Sequence, residues 1–254
     1  MQSALITGAS SGIGRQIAIT LAQVGYQIVV DHFRDPDGAD ETLSLVRRAG
    51  GDGLAFDGDV GSSEEMDKLF EMISAEAAPL GVVVNNAAIQ TFASLVELTE
   101  QDFDRTIRTN LKGTFLVSQR AARLMKAHGD GGVIINIGSG ANQVPFPDLV
   151  DYCCSKGGIE MLTKVSAVEL GPDKIRVNCI APGAIVNDRT RAESPNYAKT
   201  WGEIAPLRRA GTEQDIAQMV QFLVSDQASF VTGQTIFVDG GLWTKNEWPY
   251  EEDA

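Results

Sequence analysis

Few cysteines and no long apolar run occur in this sequence. Only three cysteines are present among 254 residues, Cys153, Cys154 and Cys179, and their spacing matches neither a disulfide framework nor a metal site. Such usage suits a reducing compartment, so we expect a cytoplasmic protein that binds no metal. Because no apolar stretch is long enough for a signal peptide or a membrane-spanning helix, we expect a protein that is neither exported nor inserted in a membrane.

Positive charge is also scarce. Lysine and arginine together number 21 against 34 aspartates and glutamates, and the net charge is −13 at neutral pH. A surface of this sign repels phosphate groups, which argues against a nucleic acid or a membrane as partner and leaves a small-molecule substrate. No repeat, low-complexity segment or linker divides the chain, which predicts a single domain over residues 1–254.

Seven short apolar runs alternate with helical patterns along the chain. Alternation of this kind is typical of a parallel sheet that helices cover on both faces. The predicted fold class is therefore α/β, with one doubly wound parallel sheet of the Rossmann type. The apolar runs lie at residues 4–6, 28–30, 54–56, 82–84, 133–137, 175–179 and 235–238.

A polar and irregular stretch at residues 187–206 follows the sixth apolar run. In a doubly wound sheet, ligands bind beyond the carboxyl ends of the strands. The stretch is therefore a candidate substrate lid, with an ordinary surface loop as the alternative.

A glycine-rich segment follows the first apolar run and leads into a helical pattern at residues 16–24. Glycine lets the backbone turn tightly and approach a pyrophosphate, which the free amides at a helix N-terminus stabilise. The segment predicts a dinucleotide site, with a tight turn that binds no ligand as the alternative. The residues assigned to this cofactor loop are Gly8, Ser10, Ser11, Gly12, Ile13 and Gly14.

Two further segments lie just beyond predicted strands. Asp59 and Val60 follow the third apolar run, and Asn86 and Ala87 follow the fourth. A carboxylate at such a place can accept a hydrogen bond from an adenine amino group, and small residues let a dinucleotide pass close to the backbone. We expect these four residues to bind the cofactor, although a turn or helix-capping role is the alternative for Asp59.

Tyr152 and Lys156 are four positions apart and so share one face of a helix. A nearby cation favours the phenolate form of tyrosine, which suits proton transfer at neutral pH. Ser139 follows the run at 133–137, and its hydroxyl is placed to hydrogen-bond a substrate oxygen. Asn110 lies within a helical pattern that asparagine disfavours, which indicates either a functional contact or a solvent-facing position.

Together these residues resemble the short-chain dehydrogenase/reductase family, and the match runs in order over almost the whole chain. The resemblance implies NAD(P)-dependent hydride transfer to or from a carbonyl or alcohol carbon. Tyr152 would then donate or remove the substrate proton, and Ser139 would orient the carbonyl. Lys156 would bind the nicotinamide ribose and tune Tyr152, both residues contacting the cofactor, while Asn110 would support a proton-relay water.

The same resemblance implies that Pro182, Gly183 and Ile185 bind the cofactor beside the nicotinamide. Two positions depart from the family pattern. Ala88 stands where a glycine usually follows Asn-Asn-Ala, and Asn187 stands where a threonine often follows Pro-Gly. Neither departure removes a catalytic group, but both change residues close to the expected cofactor.

Segments 144–147 and 232–241 resemble the glucose 1-dehydrogenase branch, which implies an aldose substrate. A 3-oxoacyl-carrier-protein reductase is the alternative, although the net charge of −13 offers no attraction to an acidic carrier. A third hypothesis is a nucleotide-sensing binding protein without turnover. That class would be expected to have lost Ser139, Tyr152 or Lys156, all of which are present.

The resemblance also implies a homotetramer with helices at residues 102–128 and 152–170 in its interfaces. Three adjacent apolar residues, Phe115, Leu116 and Val117, favour such an interface because they offer more apolar surface than one contact with the sheet needs.

Cofactor preference depends on the residues after the second apolar run. By the family pattern, the acid that selects NAD would fall at His32, and Asp31 lies one residue earlier. Successive strand side chains face opposite sides, so we expect Asp31 to point away from the ribose. Arg34 is in reach of a 2′-phosphate, with a solvated loop arginine as the alternative. The sequence thus predicts NADP as the preferred cofactor and NAD as the alternative.

Overall fold

The computed structural model describes residues 1–244. The predicted domain extends to residue 254, and its residues 245–254 lie outside the described part. The sheet strands are β1 (Ser3–Ile6), β2 (Gln27–His32), β3 (Gly53–Asp57), β4 (Leu80–Asn85), β5 (Gly132–Ile137), β6 (Ile175–Pro182) and β9 (Thr235–Val238), while β7 (Ile185–Val186) and β8 (Gly211–Thr212) form a separate short pair.

The seven strands form one parallel sheet in the order β3-β2-β1-β4-β5-β6-β9. Each strand contains one of the seven predicted apolar runs, so the predicted strands are confirmed. Because all the strands are parallel, their carboxyl ends meet at one edge of the sheet, where ligands bind in such folds.

The helices of the described residues lie between the strands along the chain. They are α1 (Gly12–Gln23), α2 (Pro36–Arg48), α3 (Ser63–Glu76), α4 (Glu100–Ile107), α5 (Gly113–His128), α6 (Val150–Leu170), α7 (Asp188–Glu193), α8 (Tyr197–Ile204) and α9 (Glu213–Val224). Helix α1 begins four residues before the predicted helical pattern at 16–24. No helix in this part of the chain has the length and apolarity needed to cross a membrane.

Alternate strand residues pack against different helices. Leu5 and Val29 are buried with residues of α3 and α5, whereas Ile6 and Val30 are buried with residues of α1, α2 and α9. This follows from the two-residue period of a strand. Both faces of the sheet are therefore covered, and the predicted doubly wound α/β fold is confirmed.

Helices α4 and α5 are joined by a π-helical turn, Arg108–Lys112. The single helical pattern predicted over 102–128 is therefore divided into two α-helices with one wider turn between them. Asn110 lies in this turn and is fully buried. Short π-helical turns are frequent at functional sites, and here the wider turn coincides with a candidate site residue.

The stretch at 187–206 differs from the irregular segment that its sequence predicts, because it contains α7 and α8. Asn187 caps α7, its Oδ1 accepting a hydrogen bond from the Thr190 backbone N–H at 2.9 Å. Pro195 lies between the two helices, and α8 begins at Tyr197. Capping of this kind stabilises a short polar helix. Such a helix has no apolar periodicity by which it could be recognised in the sequence.

The apolar side chains on α5 do not share one face. Leu116 and Val117 are buried in the core, and Phe115 is exposed. Each residue advances a helix by about 100°, so these three adjacent residues point in different directions, and of the three only Phe115 is left as apolar surface beyond the contact with the core. Exposed apolar residues also occur on α6, namely Met161, Val165 and Val168.

Candidate active site

The glycine-rich loop is held close to the segment that follows β4. Gly8 and Gly12 have φ values of 62° and 59°, a region that favours glycine. A Cβ atom on Gly8 would lie 2.9 Å from the Cα of Ala87, and one on Gly14 would lie 2.6 Å from the Nδ2 of Asn86. These glycines are required by close packing and by backbone conformation together.

Hydrogen bonds join the same two segments. Thr7 Oγ1 accepts from the backbone N–H groups of Asn86 and Ala87 at 3.0 and 3.1 Å. The Asn86 side-chain amide donates to the carbonyls of Thr7 and Gly8 at 2.9 and 3.0 Å. Asn86 therefore fixes the shape of the loop with its side chain. Contact of Asn86 and Ala87 with a cofactor stays a prediction.

The N-terminus of α1 suits a bound anion. Ser11, at the N-cap, makes no side-chain hydrogen bond to the first turn, and that turn carries no acidic residue. By contrast, α3 and α9 are each capped by a hydroxyl side chain and carry two acidic residues in the first turn. No residue of the first turn of α1 itself thus compensates the positive end of the helix dipole, and the nearby carboxylate is Glu213 of α9, whose Oε1 lies 3.6 Å from where a Cβ on Gly12 would be. A dinucleotide pyrophosphate fits this cradle of glycines and amides.

Asp59 and Val60 lie at the sheet edge beyond β3, where they were predicted. Asp59 Oδ2 forms an ion pair with Arg108 Nη1 at 2.6 Å, and Oδ1 accepts from the Gly61 backbone N–H at 2.8 Å. The Val60 side chain is buried against Gly113. Asp59 thus has a turn-forming role, and its contact with adenine stays a prediction.

Asp31 is enclosed at the end of β2, with only 1% of its surface exposed. Burial raises the pKa of its carboxyl well above the usual value, and a hydrogen bond from the Gly8 backbone acts in the opposite direction. Its Oδ1 atom has no hydrogen-bond partner in the described part of the chain. A buried carboxyl without a full set of partners favours its neutral form.

His32 and Arg34 have opposite environments. The His32 side chain is buried, and its Nδ1 accepts from the Asp35 backbone N–H at 3.3 Å. Arg34 is exposed, with its guanidinium carbon 4.8 Å from the centroid of the Phe33 ring. Its backbone N–H donates to Asp57 Oδ1 at 2.8 Å. The cationic end of Arg34 therefore lies on the surface beside the end of β2, where the sequence predicts a 2′-phosphate.

Helix α6 presents Tyr152 and Lys156 on one face. The Nζ atom of Lys156 lies 5.5 Å from the centroid of the Tyr152 ring. Lys156 is almost completely buried, and its Nζ donates to the carbonyl of Ile137 at 2.7 Å. Since Ile137 is the last residue of β5, this bond ties α6 to the strand that precedes Ser139.

Ser139 begins a short 3₁₀ turn immediately after β5. Its Oγ accepts from the Ala141 backbone N–H at 3.2 Å, while its own N–H donates to Asn142 Oδ1 at 3.1 Å. The Ser139 oxygen thus accepts one hydrogen bond, and its hydroxyl proton remains available to donate another. A hydroxyl in this state can stabilise negative charge on a substrate oxygen.

Asn110 connects the segment after β4 with α6. Its Oδ1 accepts from the Ile89 N–H at 2.8 Å, and its Nδ2 donates to the Ile89 carbonyl at 2.8 Å and to Ser155 Oγ at 3.0 Å. Ser155 Oγ in turn donates to the carbonyl of Tyr152 at 2.7 Å. The alternative that Asn110 faces solvent is wrong, because its side chain is buried and fully bonded.

The chain after β6 passes close to the end of β9. The Gly183 N–H donates to the Val238 carbonyl at 3.0 Å, and a Cβ on Gly183 would lie 2.6 Å from the Cα of Asp239. Pro182 ends β6, and the Ile185 side chain is buried in the core. Contact of Pro182, Gly183 and Ile185 with the nicotinamide end of a cofactor stays a prediction.

Four aromatic residues form a cluster that sequence reasoning missed. Trp243 lies 5.2 Å from Phe146 and 6.2 Å from Trp201 between ring centroids, and Trp201 lies 6.1 Å from Tyr197. We call this cluster the aromatic wall. Its members come from three distant parts of the chain, so neither periodicity nor spacing in the sequence indicates that they meet.

A cleft of about 630 Å³ opens beside α7 and α8, on the side of α1 and α9. Its lining includes residues of the candidate lid and of the first turn of α9. The lining residues with charged side chains are Arg191, Lys199, Arg208, Arg209 and Glu213. Ser139, Tyr152 and Lys156 do not line this cleft.

Comparison with known proteins agrees with this geometry. A family model described as enoyl-(acyl carrier protein) reductase matches residues 8–243. The chain belongs to the short-chain dehydrogenase/reductase family, and it is a nicotinamide-dependent oxidoreductase that transfers a hydride to or from a carbonyl or alcohol carbon.

Individual relatives differ in the substrates that their names give. The chain is 38% identical over 242 residues to 3-oxoacyl-[acyl-carrier-protein] reductase FabG of Staphylococcus epidermidis, covering 95% of this chain and 99% of that protein. It is 35% identical over 245 residues to glucose 1-dehydrogenase 2 of Bacillus subtilis, with coverage of 95% and 94%. The structure of acetoin dehydrogenase YohF from Salmonella typhimurium is similar with a TM-score of 0.88 and 31% identity, covering 99% and 98%.

Proposed function

We propose that Tyr152 is the acid and base of the reaction, with Ser139, Lys156 and Asn110 as its supporting residues. The observation that carries this proposal is the position of Lys156 Nζ, 5.5 Å from the Tyr152 ring centroid. Ser139 lies at the adjoining end of β5, where its hydroxyl has a proton to donate. The set combines a proton donor, a cation and a hydrogen-bond donor around one reacting oxygen.

During reduction, Tyr152 donates its proton to the carbonyl oxygen of the substrate, and during oxidation it removes the hydroxyl proton. Ser139 donates a hydrogen bond to the same oxygen and stabilises the negative charge that develops there. The ammonium of Lys156 stabilises the phenolate that remains on Tyr152. The nicotinamide supplies or accepts the hydride when it is bound.

Asn110 acts on this set through its position in the fold. Its side chain joins Ile89 to Ser155, and Ser155 bonds the Tyr152 carbonyl. It thus fixes α6 relative to the segment along which the cofactor is expected to pass. Support of a proton-relay water by Asn110 belongs to the same proposal.

The preferred cofactor in this proposal is NADP, bound at its adenosine end by Arg34. Exposure of the Arg34 side chain at the end of β2 supports the assignment, because a guanidinium pairs well with a phosphate. The buried Asp31 carboxyl supports it as well, since its neutral form neither repels a 2′-phosphate nor offers an exposed carboxylate to a ribose hydroxyl.

The proposed substrate is an aldose oxidised at its anomeric carbon, or the product of that oxidation in the reverse direction. Similarity to the Bacillus subtilis glucose 1-dehydrogenase 2 supports this choice. A 3-oxoacyl thioester is the second candidate, supported by similarity to the Staphylococcus epidermidis reductase. The net charge of −13 weighs against docking of an acidic carrier.

The assembly in this proposal is a cytoplasmic homotetramer. The exposed apolar residues Phe115 on α5 and Met161, Val165 and Val168 on α6 support burial of these two helices against other copies of the chain. Three cysteines without a disulfide in the described residues support a reducing compartment.

The proposed function is tested by a substrate screen with the purified protein. Aldoses, secondary alcohols and 3-oxoacyl thioesters are each offered with NAD and with NADP, and absorbance of the reduced nicotinamide is followed. We expect turnover of an aldose with NADP. Turnover of thioesters alone would replace the aldose by the second candidate, and absence of turnover with all three classes would contradict the proposed function.

A further inference from the structure

The aromatic wall joins the segment that follows Ser139 to helix α8 of the candidate lid. At one end, Trp243 packs on Gly140, the residue after Ser139, where a Cβ atom would lie 3.0 Å from Trp243 Cζ2. At the other end is Tyr197, the first residue of α8. Burial raises the pKa of the Tyr197 phenol, and the charge of ionised Tyr152 contributes a smaller rise. The wall thus begins at the residue that follows Ser139 and continues to α8.

Backbone hydrogen bonds fix Trp243 relative to the sheet. Trp243 donates its backbone N–H to Asp239 Oδ2 at 2.9 Å, and Gly241 donates to Oδ1 of the same residue at 2.8 Å. Asp239 follows β9, so these bonds tie Trp243 to the sheet. Trp201 belongs to α8, in the lid. One part of the wall is therefore fixed to the sheet, and the other belongs to the candidate lid.

The rings meet at steep angles. Phe146 and Trp201 are both edge-to-face with Trp243, at interplanar angles of 79° and 76°. Each of the four side chains is only partly buried, so ring surface is left for another molecule. The exposed parts of these partly buried rings are apolar and can contact a compact ring-shaped molecule.

An aromatic face gains most from contact with a flat group of similar size. A six-membered ring lays several C–H groups on such a face at once, whereas a linear chain touches it with one or two carbons. Dispersion contacts are individually weak and add up with the number of atoms that touch. Edge-to-face and stacked ring contacts contribute enough to change affinity several-fold.

We propose that the aromatic wall, formed by Phe146, Tyr197, Trp201 and Trp243, is a substrate-binding surface that selects ring-shaped alcohols and carbonyls, such as an aldopyranose, over linear ones. This inference rests on the proposed function, since it assigns a substrate class to the site around Tyr152. Trp201 is its main specificity residue because it joins the sheet-bound and lid-bound parts of the wall.

A matched pair of six-carbon secondary alcohols tests the selectivity. Cyclohexanol and 2-hexanol carry the same number of carbons and one hydroxyl, and kcat/KM is measured for each with NADP and the intact enzyme, with D-glucose as a further ring substrate. We expect Trp201→Ala to lower kcat/KM for the ring substrates by about tenfold and to affect 2-hexanol much less. Trp201→Phe is expected to restore most of the ring preference.

Phe230→Ala is the matched control, because the Phe230 ring is fully exposed and lies outside the wall. It is expected to leave the ratio of the two kcat/KM values unchanged. Equal losses for the ring and linear alcohols in Trp201→Ala, or no loss for either, would overturn the proposal.

Binding without turnover separates this inference from the proposed function. In the Tyr152→Phe background, the dissociation constants of cyclohexanol and 2-hexanol are measured by calorimetry on the NADP complex. Tighter binding of cyclohexanol that disappears with Trp201→Ala supports the aromatic wall even if the catalytic assignment fails. Equal affinities for the two alcohols contradict the wall even if Tyr152 proves to be the catalytic group.

Discussion

Lys156 and Tyr152 lie one turn apart on α6, with the lysine Nζ 5.5 Å from the centroid of the tyrosine ring. The lysine is held in this position because Nζ also donates to the Ile137 carbonyl at 2.7 Å. An ammonium group has three donors, so two remain for the cofactor and for groups near the phenol. The proposed proton transfer depends on this arrangement, and each prediction below tests one part of it or of its surroundings.

Replacement of Asn110 tests how the fold positions α6. Asn110→Ala leaves the backbone groups of Ile89 and the hydroxyl of Ser155 without their partner. We expect the free energy of unfolding to fall by about 2–3 kcal/mol and kcat to fall with it. Chemical denaturation and steady-state kinetics measure the two effects. Ser155→Ala removes one of these contacts, and we expect it to lower the free energy of unfolding by less than Asn110→Ala does. A fully stable and active Asn110→Ala would contradict the positioning role.

Replacement of Asp31 tests the buried carboxyl at the cofactor loop. Its pKa is raised in the folded chain, so its contribution to stability is complete below the unfolded value of about 3.9 and is lost as the pH rises through the folded value. Asp31→Asn cannot ionise. We expect its advantage in unfolding temperature over the wild type to grow as the pH rises from about 5 to about 8.5.

Scanning calorimetry across this pH range measures the advantage. Asp37→Asn, on the exposed first turn of α2, is the control and is expected to show no such growth. A constant difference between Asp31→Asn and the wild type at all pH values would show that the Asp31 carboxyl is already ionised in the folded protein.

Replacement of Arg34 tests the cofactor assignment. If the guanidinium pairs with the 2′-phosphate, Arg34→Ala lowers kcat/KM with NADP by about tenfold and leaves the value with NAD unchanged. The control is Arg47→Ala, at an exposed arginine on α2. We expect it to leave kcat/KM unchanged with both cofactors. A strong preference of the wild type for NAD, or an Arg34→Ala variant with normal use of NADP, would overturn the assignment.

The oligomeric state tests the role of the exposed apolar residues on α5 and α6. Light scattering at micromolar concentration is expected to give the mass of four chains. Val165→Glu places a charge among the exposed residues Met161, Val165 and Val168, and we expect it to give smaller species, because burying an unpaired charge is costly. A monomeric mass for the wild type would contradict the proposed tetramer.

Sequence patterns predicted the sheet well because its strands are buried on both faces. Runs such as 82–84 and 133–137 consist of apolar residues, and such runs have few alternatives when helical patterns lie between them. The pairing of Tyr152 with Lys156 was also predictable, since it depends only on the helical repeat. The enclosure of Asp31 was not, because it depends on how closely the glycine loop packs over the end of β2.

The lid and the aromatic wall depend on tertiary structure in the same way. Helix α7 is short and polar, and the cap at Asn187 stabilises it, so its sequence carries little apolar periodicity. Helix α8 has only eight residues, which is too short for its apolar spacing to stand out in the sequence. Phe146, Tyr197, Trp201 and Trp243 come together only when the segments after β5, β6 and β9 meet at one edge of the sheet. The spacing of these four residues along the chain does not indicate that they are in contact.

The most direct test of the catalytic assignment is the Tyr152→Phe variant. It removes one hydroxyl and keeps the ring that packs beside Lys156. We expect the purified variant to fold, to bind NADPH in a fluorescence titration, and to lose about 10²-fold or more in kcat, as removal of a positioned general acid and base requires. Near-normal turnover in the folded, cofactor-binding variant would contradict the assignment of Tyr152 as the proton-transferring group.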